Sequence, residues 1–293
     1  SDLVPGGGMI AGQAAIVDLV NGTAAQMIRR APVAMYAQID EPRGAQTNAR
    51  GELIGKLRNL IEDVKFYQVH RADYDRSASR ELSAPRADLE AMIPVVEGRM
   101  PLAIDANRVD DIEAALRLAK EYNLKIIITG GAEAWLAASD LAAAHVPVIA
   151  GAMNNIPTSF STLNQRQENV GILSKAGVPV AIIGNNGDGD EEQFNVRNVK
   201  YEAGNAVSYG MSHDAALRAV TLTPAELFGV ADHVGSLQPG RDANVVVWSG
   251  DPFEFSTRVE HVYIHGQDVI SPSRQDMLTE RYKTLPPKYQ PHP

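Results

Sequence analysis

The stretch "PLAIDANRVDDIEAALRLAKEYNLKIIITGG", residues 101 to 131, decides the fold. It opens with an apolar run that stops on Asp105 and Asn107, passes at once into an acidic helix start, and ends in a second apolar run closed by Thr129, Gly130 and Gly131. Ile112, Ala115, Leu116 and Ala119 recur at helical spacing and predict one buried stripe. Asp110 and Asp111 suit the positive end of that helix. Both flanking runs are apolar on either face, which predicts parallel strands covered on both sides. A strand, a helix and a strand within about thirty residues form one βαβ unit.

The same rhythm extends outward. "PVAMYAQI" (32–39), "VPVIAG" (146–151) and "VPVAIIGNN" (178–186) read as further buried strands. "NARGELIGKLRNLIEDVKFY", "AEAWLAASDLAAA" and "ENVGILSKAG" read as the helices between them. From residue 235 the pattern changes: "GSLQPGRDANVVVWSGDPFEFSTRVEHVYIHGQDVI" sets short strands between Pro-Gly, Gly-Asp-Pro and His-Gly turns, so a small β unit is expected there. The Pro-rich end "LPPKYQPHP" predicts an extended surface strap.

The chain has 293 residues, 44% of them apolar, enough for one large core and a smaller unit. Its formal charge of −9 argues against a nucleic-acid surface or an anionic membrane, both of which need clustered Lys and Arg. Small neutral or cationic partners, such as a small-molecule substrate, fit better. With no cysteine, disulfides, thiolate nucleophiles and Cys-ligated zinc are absent together. No apolar run approaches the ~18 residues of a membrane span. Ser1 followed by "DLVPGGG" is neither an initiator Met nor a signal-peptide pattern, so the chain is expected to begin within a domain, and its compartment is unknown.

In parallel sheets the chemistry collects where strands end at their C-terminal edge. Those ends carry Asp40 and Glu41, Asp105 and Asn107, Thr129 to Gly131, Asn154 and Asn155, and Asn185, Asn186 and Asp188. Each also has a structural role open to it; Asp105 could cap the following helix through amides around Val109 or Asp110. Other motifs are weaker. "GGGMIA" matches a dinucleotide pattern, but Gly12 and β-branched residues follow where a helix should open, so a flexible rim loop is expected. "NNGDGDEEQF" has calcium-loop spacing at Asn186, Asp188 and Asp190 but places Glu191 and Arg197 where Gly and Glu are required. The seven histidines include one pair four apart, His261 and His265, on an expected hairpin, which favours solvated side chains over ligands. No Gly-x-Ser-x-Gly elbow occurs.

The segment "LRAVTLTPAELFGVADHVGSLQPGRDANVVVWSGDPFEFSTRVEHVYIHGQDV", residues 217 to 269, resembles the C-terminal signature of the amidohydrolase superfamily, in particular its imidazolonepropionase-related members. "PGGGMIAGQAAIV", the 101–131 stretch, "VPVIAG" and "VPVAII" resemble that family's segments in order. The resemblance implies an α/β fold: a partial (β/α)8 TIM-like barrel with a small C-terminal β-sandwich portion. Leu3 and Val4 would end the third barrel strand, and the five strands above would be the fourth to eighth. Residues 1–228 would form the partial barrel, 229–272 the composite sandwich portion, and 273–293 the strap.

The family uses zinc or another divalent metal. Its bridging lysine falls at about Met35, the histidine of the fifth strand at Asp105, that of the sixth at Gly130 or Gly131, and the catalytic aspartate of the eighth near Asn185. An amide cannot act as a base, and one carboxylate cannot replace the three or four ligands that zinc requires. No metal ligand, and so no cofactor, is expected in this chain. Asp105, Asn185 and Asp188 are the expected catalytic positions, and Asn107, Asn154 and Asn186 the expected substrate contacts. The implied activity is hydrolysis of non-peptide C–N bonds in cyclic or linear amides, with an N-terminal segment or a neighbouring subunit supplying the missing strands and the family's histidine pair. This chain alone would be inactive. The alternative is a catalytically dead binding scaffold without metal, and a nucleotide-binding protein using the Gly-rich loop is a distant third.

Overall fold

The computed structural model describes residues 2–3, 9–18, 23–39, 50–184, 196–269 and 271–284. It divides into two units, Ser1–Ser236 and Leu237–Pro293.

The first unit is built on a seven-stranded sheet in sequential order: β1 (Asp2–Leu3), β2 (Ile10–Val17), β3 (Ile28–Gln38), β4 (Leu102–Ala106), β5 (Ile126–Gly130), β6 (Val148–Ala150) and β7 (Val180–Ile182). From β3 to β7 every pairing is parallel. This is the expected run of five buried strands, one for each of the family's fourth to eighth. The N-terminal part differs from expectation. "IAGQAAIV", directly after the expected Gly-rich loop, is strand β2, which pairs antiparallel with both β1 and β3. The strand carrying Leu3 therefore does not lie beside β3 as the third strand of a parallel barrel would. An extended run rich in β-branched and small residues meets a ready template in the long β3, and backbone pairing settles its conformation. Residues 4–8, with most of the Gly-rich loop, lie outside the described residues.

The helices follow the pattern of the sequence. Between β3 and β4 come α1, the twenty-residue helix Arg50–Val69, then α2 (Arg71–Asp75) and α3 (Arg86–Val96). After β4 runs α4 (Val109–Tyr122), whose buried face includes Ile112, Ala115 and Ala119, with Ala114, Leu118 and Tyr122 where the expected stripe had Leu116. Beyond β5 a 3-10 turn at Ala134–Ala137 leads into α5 (Ala138–Ala143), and beyond β6 lies α6 (Asn169–Lys175). Helices α7 (Val199–Ser208), α8 (His213–Val220) and α9 (Leu222–Leu227) close the unit. No described helix is long and apolar enough to cross a membrane.

Both faces of the sheet are covered. One face puts Met35, Leu102, Ile104, Ile126, Ile128, Val148, Val180 and Ile182 out of water. On the other, Tyr36, Ala103, Ile127, Ile149 and Ala181 form one cluster with Ala14 of β2 and with Phe228, just past α9, and Leu227 packs against it. Strand β7 stands at the edge of the sheet, yet its three residues are buried, and α8 and α9 pack on it. Arg30 of β3 donates through Nη1 to the carbonyl of Gly229, tying the first long strand to the end of α9.

The second unit holds a three-stranded antiparallel sheet of β8 (Val245–Trp248), β9 (Val259–Ile264) and β10 (Gln267–Asp268), with His265 and Gly266 as the tight turn of its last hairpin. One sheet, not a two-layered sandwich, is what the described residues form here. Arg274–Tyr282 form helix α10, capped by Ser273 and Asp276, within the span expected as a strap; residues 285–293 lie outside the described residues.

Phe228 is 7% exposed and fills the face that the helices of the βαβ units do not reach. Phe228→Ala is expected to lower stability by about 3–5 kcal/mol, as large-to-small changes in closed cores do. Urea denaturation followed by circular dichroism checks this; a loss below about 1 kcal/mol would show that the cluster does not depend on the ring.

Candidate active site

Register brings three polar residues into one row at the C-terminal edge. Gln38 of β3 stands beside Asp105 of β4, and Asp105 beside Thr129 of β5. Each lies two residues beyond a member of the inner cluster, Tyr36, Ala103 or Ile127, so all three belong to the cluster's face of the sheet. They are half-buried where the apolar layer beneath them is closed. Asn107 Nδ2 donates to Asp105 Oδ1 at 3.4 Å, and Asn107 Oδ1 accepts from the Ala132 amide at 3.3 Å.

The capping role considered for Asp105 is filled by another residue. The Val109 amide at the start of α4 donates to Glu133 Oε2 at 3.0 Å, and Arg108, the cap position, makes no side-chain cap. Asp105 belongs to the strand-end row. Of the other expected site residues, Asn154 is exposed, four residues past the last strand residue of β6, with a left-handed φ of 55°. The structure does not bring it into the row. Asp40, Glu41, Asn185, Asn186, Asp188 and Asp190 lie outside the described residues.

The two glycines where the family carries its sixth-strand histidine are fixed by space. A Cβ at Gly130 (φ 78°) would stand 2.6 Å from Asn107 Oδ1 and 2.8 Å from Asp105 Oδ1; one at Gly131 (φ 59°) would stand 3.1 Å from Val148 Cγ1. A side chain at either position meets a strained backbone and crowded neighbours. Met35 lies on the covered face, 1% exposed. Among the described residues no group of three His, Cys, Asp or Glu is placed to hold a metal ion. The donors in the row are one carboxylate, two amides and a hydroxyl, which do not fit a divalent zinc site. His261 is exposed and pairs through Nδ1 with Asp268 Oδ2 at 2.9 Å, while His265 sits in the hairpin turn.

Buried polar residues that the sequence reading missed hold these strand ends. Glu133, 2% exposed, takes the amide and side-chain N–H of Asn164 on Oε1, both at 3.1 Å, besides the Val109 amide. Glu202, also 2% exposed, accepts the amides of Ala152 and Met153 on Oε2, both at 2.6 Å. Asn169 donates to the Gly131 carbonyl at 2.9 Å and accepts from the Trp135 amide at 3.0 Å. Asn155, which the sequence did place at a strand end, is buried and bonds the Gly151 carbonyl and Gln165. The hydrogen bond from Arg166 holds the Glu168 carboxyl at about 2, and the guanidinium lies 4.8 Å over the Trp135 ring. A helical hydrophobic pattern cannot reveal such residues, because their polar groups face inward to serve loops distant in sequence.

The comparisons with known proteins bear on this arrangement. Residues 126–269 match the amidohydrolase family. An amidohydrolase from Thermotoga maritima MSB8 superposes with a TM-score of 0.79 over 92% of this chain and 71% of its own, at 27% identity. Amidohydrolase tasK of Hapsidospora irregularis is 35% identical over 77 residues, which span 26% of this chain and 8% of that protein.

Two predictions follow from the geometry. Glu202→Ala strands two buried amides and should cost about 2–4 kcal/mol, while Glu202→Gln keeps an acceptor and should cost less than half as much; equal losses in thermal and urea unfolding would contradict this account. Gly130→His should destabilise by more than about 1 kcal/mol from its backbone angle alone, without gaining zinc affinity by calorimetry. In the sequence of residues 126–269 and in its strand arrangement, this chain is similar to the amidohydrolase family.

Proposed function

We propose that the chain is a hydrolase of non-peptide C–N bonds, acting on cyclic or linear amides at the strand-end row, within the imidazolonepropionase-related branch that its C-terminal segment resembles. The observation that carries this reading is the position of Asp105. A half-buried carboxylate stands on the inner face at the C-terminal edge, where parallel-sheet enzymes of this architecture keep their reacting groups. As a general base it would take a proton from the attacking water. Asn107, bonded to it, and Gln38, beside it in register, are amide donors suited to a substrate carbonyl as negative charge develops on its oxygen. Asn154 would contact substrate only from the loop after β6, and Asn185, Asn186 and Asp188 complete the proposed set. The family's metal is not assigned to the described residues, whose donors do not fit it.

The test is hydrolysis of a panel of cyclic amides, five- and six-membered, and N-acyl amides, followed by amine or carboxylate release with and without added divalent metal. Asp105→Asn should reduce turnover at least a hundredfold, in the range of general-base contributions, while leaving the unfolding midpoint within about 1 kcal/mol of the parent. Turnover that survives Asp105→Asn removes Asp105 from the chemistry. No turnover by the parent chain under any of these conditions favours the binding scaffold.

A further inference from the structure

An open cleft of about 490 Å³ is lined by Arg50, Arg108, Ser159, Phe160 and Ser161. None of the residues assigned above to hydrolysis lines it. Arg50 opens α1, which follows β3; Arg108 immediately precedes α4, which follows β4; the other three lie on the loop after β6. Three segments distant in sequence thus converge on the C-terminal side of the sheet.

The two arginines are held differently. Arg50, 22% exposed at its side chain, donates from Nη2 to Ser161 Oγ at 2.7 Å, and its Nε lies 3.6 Å from the buried carboxylate of Asp111. Asp111 stands within ion-pair range of the guanidinium, which in turn holds Ser161. Arg108 donates from Nη2 to Asp110 Oδ2 at 3.2 Å, but Asp110 is 74% exposed. Such a surface pair is worth at most about 1 kcal/mol, so another carboxylate can take the place of Asp110 at small cost. Phe160 is 82% exposed, and its 3-10 turn is fixed by the mutual bonds of Ser159 and Thr162. A phenyl ring in water beside two guanidinium groups and two hydroxyls makes a receptor with an anionic end and an apolar wall.

We propose that this cleft binds a small organic anion, with its carboxylate or phosphate between Arg50 and Arg108, within reach of the Ser159 and Ser161 hydroxyls, and its apolar group against Phe160. Guanidinium groups suit either anion, because their paired N–H groups match two oxygens. The proposal concerns binding alone and is measured without turnover, so it does not rest on the hydrolase reading.

Isothermal titration calorimetry of the 293-residue chain with benzoate, phenyl phosphate, benzamide and acetate tests it. Saturable binding of benzoate or phenyl phosphate is expected, with benzamide and acetate at least about tenfold weaker, the first lacking the charge and the second the ring. Arg108→Met should weaken the bound anion about tenfold or more. Phe160→Ala should weaken benzoate or phenyl phosphate and leave acetate unchanged. Arg117→Met, which removes an exposed arginine paired with Glu113 on the same helix, should change nothing. Arg108 is exposed enough that its variant is expected to fold, which circular dichroism checks, whereas loss of Arg50 would leave the buried Asp111 without its guanidinium. Phenyl phosphate exceeding benzoate, with the same dependence on Arg108, would identify the anion as phosphoryl. Benzamide binding as tightly as benzoate, an unchanged affinity in folded Arg108→Met, or no saturable binding of either aromatic anion would overturn the proposal.

Discussion

A parallel sheet hides both of its faces, and the rest of this structure depends on meeting that demand. Helices of the βαβ units cover one face as the chain passes from strand to strand. The other face has no helix of its own from those units. Here β2 lays Ala14 and Ile16 against it, and the end of α9 brings Leu227 and Phe228 onto the same cluster. The bond from Arg30 of β3 to the Gly229 carbonyl ties the sheet to the second of these covers, linking residues 199 apart in sequence. A side chain at Gly229 would collide with that guanidinium, its Cβ standing 2.7 Å from Nη1, so the close approach requires glycine.

With the sheet held in this way, the strand ends can carry polar groups without loosening. Loops that leave a buried sheet expose backbone N–H and C=O groups to an apolar surround, and each needs a partner. Glu133 and Glu202 each serve two separate N–H donors or more, and Asn169 bridges the turns after β5. A carboxylate accepting several N–H bonds is among the stronger ways to fix a loop. The result is a rigid rim on which Asp105 stands beside Gln38 and Thr129, a fixed environment of the sort that catalysis by preorganised groups needs.

The charge distribution follows a similar division. The chain as a whole carries −9, which keeps polyanions away, yet Arg50 and Arg108 meet at one cleft on the rim. A pair of guanidinium groups inside an acidic surface acts at short range, since screening removes distant charges within about 10 Å at ordinary salt. Net charge therefore disfavours polyanionic partners, while the paired guanidinium groups leave room for a small anion in the proposed cleft.

The strand–helix rhythm was legible in the sequence because it is written in local periodicity. The 101–131 stretch produced β4, α4 and β5, and the strands read at 32–39, 146–151 and 178–186 correspond to β3, β6 and β7. The similarity to the amidohydrolase family was legible as well, since "TPAELFG" and "GSLQPGRDANVVVW" carry it in their order. What the sequence could not show depended on distant partners. The run from Ile10 to Val17 has no periodicity of its own that selects a strand; pairing with β3 does so. Asp105 has the composition of a cap and of a site residue alike, and only Glu133, 24 positions from the amide it serves, left Asp105 to the inner row. The convergence of Arg50, Arg108 and Phe160 is likewise invisible in one dimension, because three loops must close before their side chains meet. Local pattern determined which elements form, and tertiary packing decided which polar groups they present together, since hydrogen bonds and sterics act between neighbours in space.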